Sequence, residues 1–481
     1  MDQNKLLRAI ARIHAYGRPV DMAKPFLIAD RYKGVGTGFF ISRDGLYVLT
    51  CSHVVDSADT VTIMLPLLGL TEYPASVLGI VPGYDIAVLA VDSPELRTEV
   101  SPLSLGKSDA LQLGQKLTAV GYPLGQTAIK VSDGVYAGFQ EKLQHTVSIS
   151  PGNSGGPLMD EAGTVVGINS SGIVSPEASN VGFAIPIEMF ELMSAAIFAQ
   201  TPGPPSPERV IRLPLFGLEF APITRSHSRA VGASACFSSP QDGGVQVVSV
   251  ISGPSMASLQ AGDILVEFDG TPIDTIGEMN VPWNYQKVRL EDVLVRSVAD
   301  REYELRVWKQ ASHTCAVVRV RPSIPTSSAL RMLYPPYDKV PYVVVLGLVI
   351  MPLVANHAFT PPLAQTYLCK KAPELTEPSL VIAHVFNGTL AQIEGPLHAG
   401  DEVSHVNDKK VESVDDVLLS LSQFVTTSTG KQVVTITSSN GKVFMVDTVD
   451  ALRSEERAST ENIYKPEPTL MKFLGVERTA H

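Results

Sequence analysis

The run Pro151-Gly152-Asn153-Ser154-Gly155-Gly156-Pro157 decides how the rest of the chain is read. A serine between glycines on a tight turn stands its hydroxyl clear of the backbone, as an acyl-transfer nucleophile requires. Gly152 has no Cβ and reaches backbone angles closed to other residues. The N–H groups of Gly152 and Ser154 then aim at one point, an oxyanion hole. Gly155 and Gly156 leave room for a substrate backbone. A Gly/Ser-rich turn alone is more often only a turn, so its partners matter.

A serine needs a base, and the base needs an orienting acid. Tyr47-Val48-Leu49-Thr50-Cys51-Ser52-His53 is an apolar strand ending at a histidine. Gly83-Tyr84-Asp85-Ile86-Ala87-Val88-Leu89 places an aspartate at the mouth of another. Singly, His53 reads as a core histidine and Asp85 as a turn residue. Together with Ser154 they stand in the order His, Asp, Ser, that of the chymotrypsin-type double barrel. These motifs, with Gly36-Thr37-Gly38-Phe39 and Val120-Gly121-Tyr122-Pro123-Leu124-Gly125, resemble the HtrA/Deg serine proteases, and the layout looks most like the plant-type Deg group. One departure is Thr146-Val147-Ser148-Ile149-Ser150, where the family usually has Asp-Ala-Ala-Ile-Asn.

The resemblance implies roles residue by residue. Ser154 attacks, His53 carries the proton, Asp85 orients the imidazole, and Gly152 and Ser154 supply the oxyanion hole. In the trypsin-like fold the base of the S1 pocket lies six residues before the nucleophile, at Ser148, with Ile168, Asn169 and Ser170 as the opposite wall and Ile168 narrowing the slot. No carboxylate at Ser148 means no partner for a substrate Lys or Arg, so cleavage after small or medium apolar residues is expected. Such residues are buried in folded proteins, which makes unfolded polypeptides the expected substrates. The resemblance also implies a homo-oligomer, a trimer or multiple.

At 481 residues, several domains are expected. With 44% apolar and 18% charged residues the chain has enough material for packed cores. A formal charge of −11, with no basic run, argues against nucleic acid as a partner. Cys51, Cys236, Cys315 and Cys369 show neither metal spacing nor a framework of bridges, so no metal or other cofactor is expected. No Walker-type loop appears, so the expected proteolysis is ATP-independent. Val340 to Ala355 is nearly all apolar but too short to span a membrane as a helix, and its β-branched residues, Gly347 and flanking prolines indicate buried strands joined by a turn. The N-terminus lacks a secretory h-region, and Ile10 to Tyr16 reads as a first strand or a packing helix. These features predict a cytoplasmic or nuclear location, with mitochondria or another organelle left open.

Residues 34–190 read as short strands broken by turn residues. Ile187, Phe190, Met193 and Ile197 then recur at helical spacing, and Thr201-Pro202-Gly203-Pro204-Pro205-Ser206-Pro207 is a stiff linker. Beyond it, Ala261-Gly262-Asp263-Ile264-Leu265 lines up with Ala399-Gly400-Asp401-Glu402-Val403, and Leu215-Phe216-Gly217-Leu218 with Leu346-Gly347-Leu348. The repeated pattern is similar to a PDZ domain, in which an apolar-Gly-apolar loop, here Phe216, Gly217 and Leu218, binds a peptide's C-terminal carboxylate. The second copy diverges, with Asn407-Asp408 replacing Asp269-Gly270, and reads as a peptide binder or an assembly surface.

The expected fold is therefore mainly β. A chymotrypsin/trypsin-like double β-barrel spans 1–200, a Pro-rich linker 201–209, PDZ-like α+β domains 210–325 and 326–450, and a tail 451–481. The expected function is a serine endopeptidase for unfolded or damaged chains. The alternative is an inactive PDZ scaffold or holdase, against which the intact His53, Asp85 and Ser154 argue.

Overall fold

Ile10 to Tyr16 folds as strand β1 (Ile10–Gly17), after a short helix Gln3–Ala9. It closes a barrel with β2 (Tyr32–Phe40), β3 (Tyr47–Thr50), β4 (Ala58–Met64), β5 (Glu72–Val81) and β6 (Ile86–Val91), in the order β1-β2-β3-β6-β5-β4. A second barrel runs β10-β11-β12-β9-β8-β7, built from β7 (Lys116–Gly121), β8 (Lys130–Gln140), β9 (Lys142–His145), β10 (Pro157–Met159), β11 (Val165–Ser175) and β12 (Ala178–Pro186). Closure leaves neither sheet with an unpaired edge. Phe39, Phe40, Leu49 and Val88 fill the first barrel and Leu117, Leu143 and Leu158 the second; each such side chain contributes roughly 1.5–3 kcal/mol by leaving water.

The computed structural model describes residues 3–42, 44–175, 178–237, 243–251, 256, 258–299 and 301–475, without the side chains of 171–180. The last residues of the expected tail, 476–481, lie outside the described residues. Two compact units result. The first takes Met1–Pro19, Asp30–Ile324 and Tyr334–Asp338, and the second Val20–Ala29, Pro325–Leu333 and Lys339–His481. The expected bounds were continuous, and the units are not.

In the first unit the helix Ile187–Phe198 buries Ile187, Phe190, Met193 and Ile197, the residues whose spacing marks it in the sequence. The proline-rich stretch after it is fastened to the barrel. Buried Arg209 donates to the carbonyls of Thr201 and Pro204, and the Ile211 N–H donates to Ile80 O at 2.8 Å. A sheet of order β13-β14-β15-β19-β20 follows. Its strands are β13 (Leu218–Pro222), β14 (Val245–Val250), β15 (Ile264–Phe268), β19 (Tyr303–Lys309) and β20 (Thr314–Val320). The short β16 (Thr271–Pro272) pairs with β15, and β17 (Glu278–Val281) pairs with β18 (Asn284–Arg289) ahead of the helix Leu290–Val295. Cys236 and Cys315 form a disulfide across a separation of 79 residues, with Cα atoms 5.6 Å apart. This corrects the expectation that the cysteines form no bridge. Spacing along the chain does not show which strands a fold lays side by side.

The second unit repeats the layout. Its strands are β21 (Val343–Val345), β22 (Leu348–Pro352), β23 (Leu380–Val385), β24 (Glu402–Val406), β25 (Lys409–Lys410), β26 (Val425–Thr426), β27 (Gln432–Ser438) and β28 (Val443–Asp447), with the helix Val414–Ser420. The main path is β21-β22-β23-β24-β27-β26. Asn407-Asp408 reproduces the Asp269-Gly270 turn: all four residues have positive φ, from 48° to 79°, a region that Asn and Asp tolerate. The apolar run from Val340 forms β21 and β22 around a Leu346-Gly347 turn. No helix among the described residues is long and apolar enough to cross a membrane.

A prediction follows for the bridge. Closing a loop of this length stabilises a fold by about 4 kcal/mol in the chain-entropy picture. Cys236→Ser with Cys315→Ser, or added dithiothreitol, should therefore lower the unfolding midpoint of this sheet in urea. An unchanged midpoint would show that the bridge contributes nothing.

Candidate active site

Thr37, on β2, sets the nucleophile turn. Its N–H donates to Ser154 O at 2.9 Å, and its hydroxyl donates to Gly152 O at 2.6 Å while accepting from Tyr122 N–H at 3.0 Å. Thr37 is fully buried. The turn is thus pinned to the first barrel on both sides of Asn153. Gly152 sits at φ +96°, where a Cβ would lie 2.4 Å from Tyr122 O, and Gly155 at φ +85°, where one would lie 2.1 Å from Thr50 Oγ1. Only glycine fits at either position.

The turn also orients two amides. Pro151 O accepts from Leu124 N–H at 2.6 Å and Asn153 O from Gly156 N–H at 3.0 Å. In a trans peptide the N–H points opposite to the C=O. The Gly152 and Ser154 N–H groups therefore face away from those donors, and neither donates to a protein acceptor among the described residues. Two unsatisfied amides on one turn are what an oxyanion requires.

His53 lies in the helical turn Ser52–Val54 that ends β3, and Asp85 at the left-handed corner (φ +61°) before β6. His53 Nδ1 is 2.8 Å and 2.9 Å from the two Asp85 oxygens, and His53 N–H donates to Oδ1 at 3.0 Å. Ser52 Oγ adds a bond to Oδ1 at 3.2 Å and Ser170 Oγ one to Oδ2 at 2.7 Å. Burial pushes the Asp85 carboxyl up, but the hydrogen bond and charge of His53, with the Ser170 bond, leave it below the ordinary carboxylate value. For His53, burial pulls the imidazole down. The hydrogen bond and charge of Asp85, with the charge of Asp56, outweigh it and leave the group above 6.5. Ser154 Oγ donates to Ser170 O at 2.9 Å and makes no hydrogen bond with His53 among the described residues. Asp85 and His53 are closed on each other, and Ser154 rests on the carbonyl of Ser170, the residue that also holds Asp85.

The expected pocket walls are placed differently. Ser148 is exposed in the loop after β9. Ile168 is fully buried in the core with Met159 and Ile185. Asn169 is also buried, its side chain donating to Pro157 O at 3.0 Å. Strand alternation tells facing from backing residues only once the barrel is known. Ser170 belongs with Asp85. Sequence reading missed Thr37's role, although its motif stood out. It also missed Lys142, whose ammonium donates to Ser170 Oγ at 2.8 Å; a single lysine at a strand end gives no signal.

Cys51 Sγ, His53 and Asp85 offer ligand atoms within 4.8 Å of one another. The donor set does not suit a metal. Burial, then the charge of Asp85, holds Cys51 as a neutral thiol, whereas metals take thiolate. Both Asp85 oxygens already accept hydrogen bonds.

Of the loop residues in the first PDZ-like sheet, Phe216 is buried against the Phe268 and Tyr303 rings. Gly217 has φ +63° and its carbonyl accepts from Ile251 N–H at 2.6 Å. Leu218 opens β13, which has a strand partner on one side only among the described residues. In the second copy β21 covers the corresponding side of β22. There the Leu346 N–H donates to the buried Glu455 at 2.7 Å, and Tyr464 OH donates to the same oxygen at 2.9 Å.

Residues 36–168 match the family model of the trypsin-like peptidase domain. A probable periplasmic DegP-like serine endoprotease of Chlamydia pneumoniae is 33% identical over 255 residues, 50% of this chain and 48% of that protein. Protease Do-like 1, chloroplastic, of Arabidopsis thaliana is 30% identical over 262 residues, 50% of this chain and 55% of that protein. The chain thus spans about half the length of these curated relatives. A solved structure of an HtrA-type protease, a variant of AlgW with a decapeptide, covers 70% of this chain and 99% of its own at 21% identity, with a TM-score of 0.50. That likeness is one of fold. The relatives overturn the expected cytoplasmic or nuclear location and point to a periplasmic or organellar one. The expectation leaned on the first residues, which fold into the barrel, and on cysteines taken as unpaired; bridges such as Cys236–Cys315 persist in oxidising compartments.

Two measurements test the site. A base must be neutral, so kcat/KM should fall as pH drops through a value above 6.5. Asp85, held low, stays charged across that range. A limb at or below 6.5 in a pH–rate profile would contradict the geometry of the pair. Thr37→Val leaves Gly152 O and Tyr122 N–H without their partner. It should cost about 1–3 kcal/mol in urea unfolding and lower kcat by about tenfold to a hundredfold through the loosened Gly152 amide.

Proposed function

Because this chain belongs to the HtrA/Deg family of trypsin-like serine proteases, we propose that it is a serine endopeptidase acting on unfolded or damaged polypeptides without ATP. Ser154 Oγ attacks the scissile carbonyl, and His53 takes its proton and returns it to the leaving amine. Asp85 holds the imidazole tautomer and stabilises its charged form. The Gly152 and Ser154 amides receive the oxyanion. The observation that carries this reading is the His53 Nδ1 held 2.8 Å from Asp85, beside a turn whose two amides meet no protein acceptor among the described residues. A rotation of the Ser154 side chain away from Ser170 O brings the hydroxyl into play; catalytic hydrogen bonds often tighten only when substrate is bound.

Cleavage follows small or medium apolar residues, since Ser148 offers no carboxylate to a cationic side chain. The first PDZ-like domain, around Phe216, Gly217 and Leu218, takes peptide C-termini along the open side of β13, and the assembly is a homo-oligomer, a trimer or a multiple of one. Casein digestion tests the core of the proposal. Ser154→Ala should reduce kcat by a factor on the order of 10⁶. Equal digestion by both chains would overturn it. Digestion by neither, with client aggregation suppressed, would favour the holdase. A peptide library dominated by Lys or Arg at P1 would remove the specificity claim alone.

A further inference from the structure

Behind Asp85 the first unit holds a cavity of about 350 Å³ whose lining includes Asp85, Glu141, Lys142, Glu291, Asp292 and Arg296. Its two walls are tied together. Tyr84 OH donates to Val295 O, and the Arg296 guanidinium lies over the rings of Trp283 and Phe139, at 3.5 Å and 5.4 Å from their centroids. Lys142 opens β9 and points from this cavity to Ser170, its Nζ 2.8 Å from Ser170 Oγ. Ser170 Oγ is in turn 2.7 Å from Asp85 Oδ2.

The direction of this chain of bonds is forced. An ammonium has three donors and no acceptor, and a serine hydroxyl has one proton. Ser170 Oγ must accept from Lys142, which leaves its only proton for Asp85. Asp85 Oδ1 already takes the His53 N–H and Ser52 Oγ. The carboxylate is therefore gripped on both oxygens, with a positive charge one hydroxyl away. We propose that Lys142 is a positioning residue of the triad, acting through Ser170 to fix the rotation of Asp85 against His53. This rests on the endopeptidase reading above for its kinetic consequence, but not for its effect on His53.

The ion lies within a mixed field. Asp85 and Asp56 raise the His53 value, and Lys142 lowers it. Glu141, Glu291, Asp292 and Arg296 line the same cavity as Lys142. Removing the ammonium lifts that lowering influence while Ser52 and the His53 N–H still hold Asp85 beside the ring, so the imidazole should hold its proton to higher pH.

The test compares the full chain with Lys142→Met, Lys142→Arg and Ser170→Ala. Lys142→Met should lower kcat about ten- to a hundredfold with KM little changed. It should also move the acid limb of kcat/KM to higher pH by about half a unit or more. Lys142→Arg, which keeps a donor and the charge, should restore most of both. In the Ser170→Ala background Lys142→Met should have little further effect on kcat, because the relay is already cut. A wild-type profile for Lys142→Met, or the same loss in both backgrounds, overturns the proposal. An NMR titration of labelled histidine in Ser154→Ala chains, with His53→Gln for assignment, reads the His53 shift without any turnover. If that shift appears while the chain with Ser154 intact digests no casein, the positioning role stands and the endopeptidase reading falls. If no shift appears, the positioning role falls on its own.

Discussion

The shape of the candidate nucleophile turn hangs on the buried hydroxyl and amide of Thr37. They hold the carbonyls on both sides of Asn153 and thereby aim the amides of Gly152 and Ser154. A glycine-rich turn left to itself samples many shapes, since glycine restricts the backbone least. Here the turn belongs to the loop before β10 of the second barrel, and the residue that pins it belongs to the first. The turn keeps this backbone shape only while the barrels stay packed, so local geometry and global fold are a single constraint.

The same logic governs the acid. Asp85 occupies a left-handed corner between a short helical turn and β6. It collects donors from Ser52 and His53 in one turn and from Ser170 on a distant strand. Burying a carboxylate is costly unless its oxygens are satisfied. The number of donors explains why this one is held below the ordinary carboxylate value despite burial, and its hydrogen bond and charge raise the imidazole beside it above its ordinary value.

The two PDZ-like copies show how one pattern reaches two outcomes. In the first, β13 has a strand partner on one side only among the described residues, and the loop carbonyl of Gly217 is tied to Ile251. In the second, the run from Val343 folds back as β21 along β22, and Glu455 and Tyr464 close over the Leu346 amide. The apolar excess that set the second copy apart in the sequence is the extra strand: residues that would be solvent-facing on an open edge are buried between layers. The first copy instead carries a disulfide, whose partners lie in a short helical turn and in β20.

The residue string alone marked the barrels, the helix Ile187–Phe198, the repeat, and His53, Asp85 and Ser154 as candidates, of which the structure pairs the first two. Each rests on a local signal: periodicity, a glycine-flanked serine, or a duplicated turn. Only the tertiary structure decided that Ile168 and Asn169 are core, that Ser170 serves Asp85, that Cys236 meets Cys315, and that Val20–Ala29 sorts with the second unit. The physical reason is the same in every case. Period along a strand tells which residues share a face, but which face meets which neighbour is set by how distant strands close, and one-dimensional spacing carries no record of that.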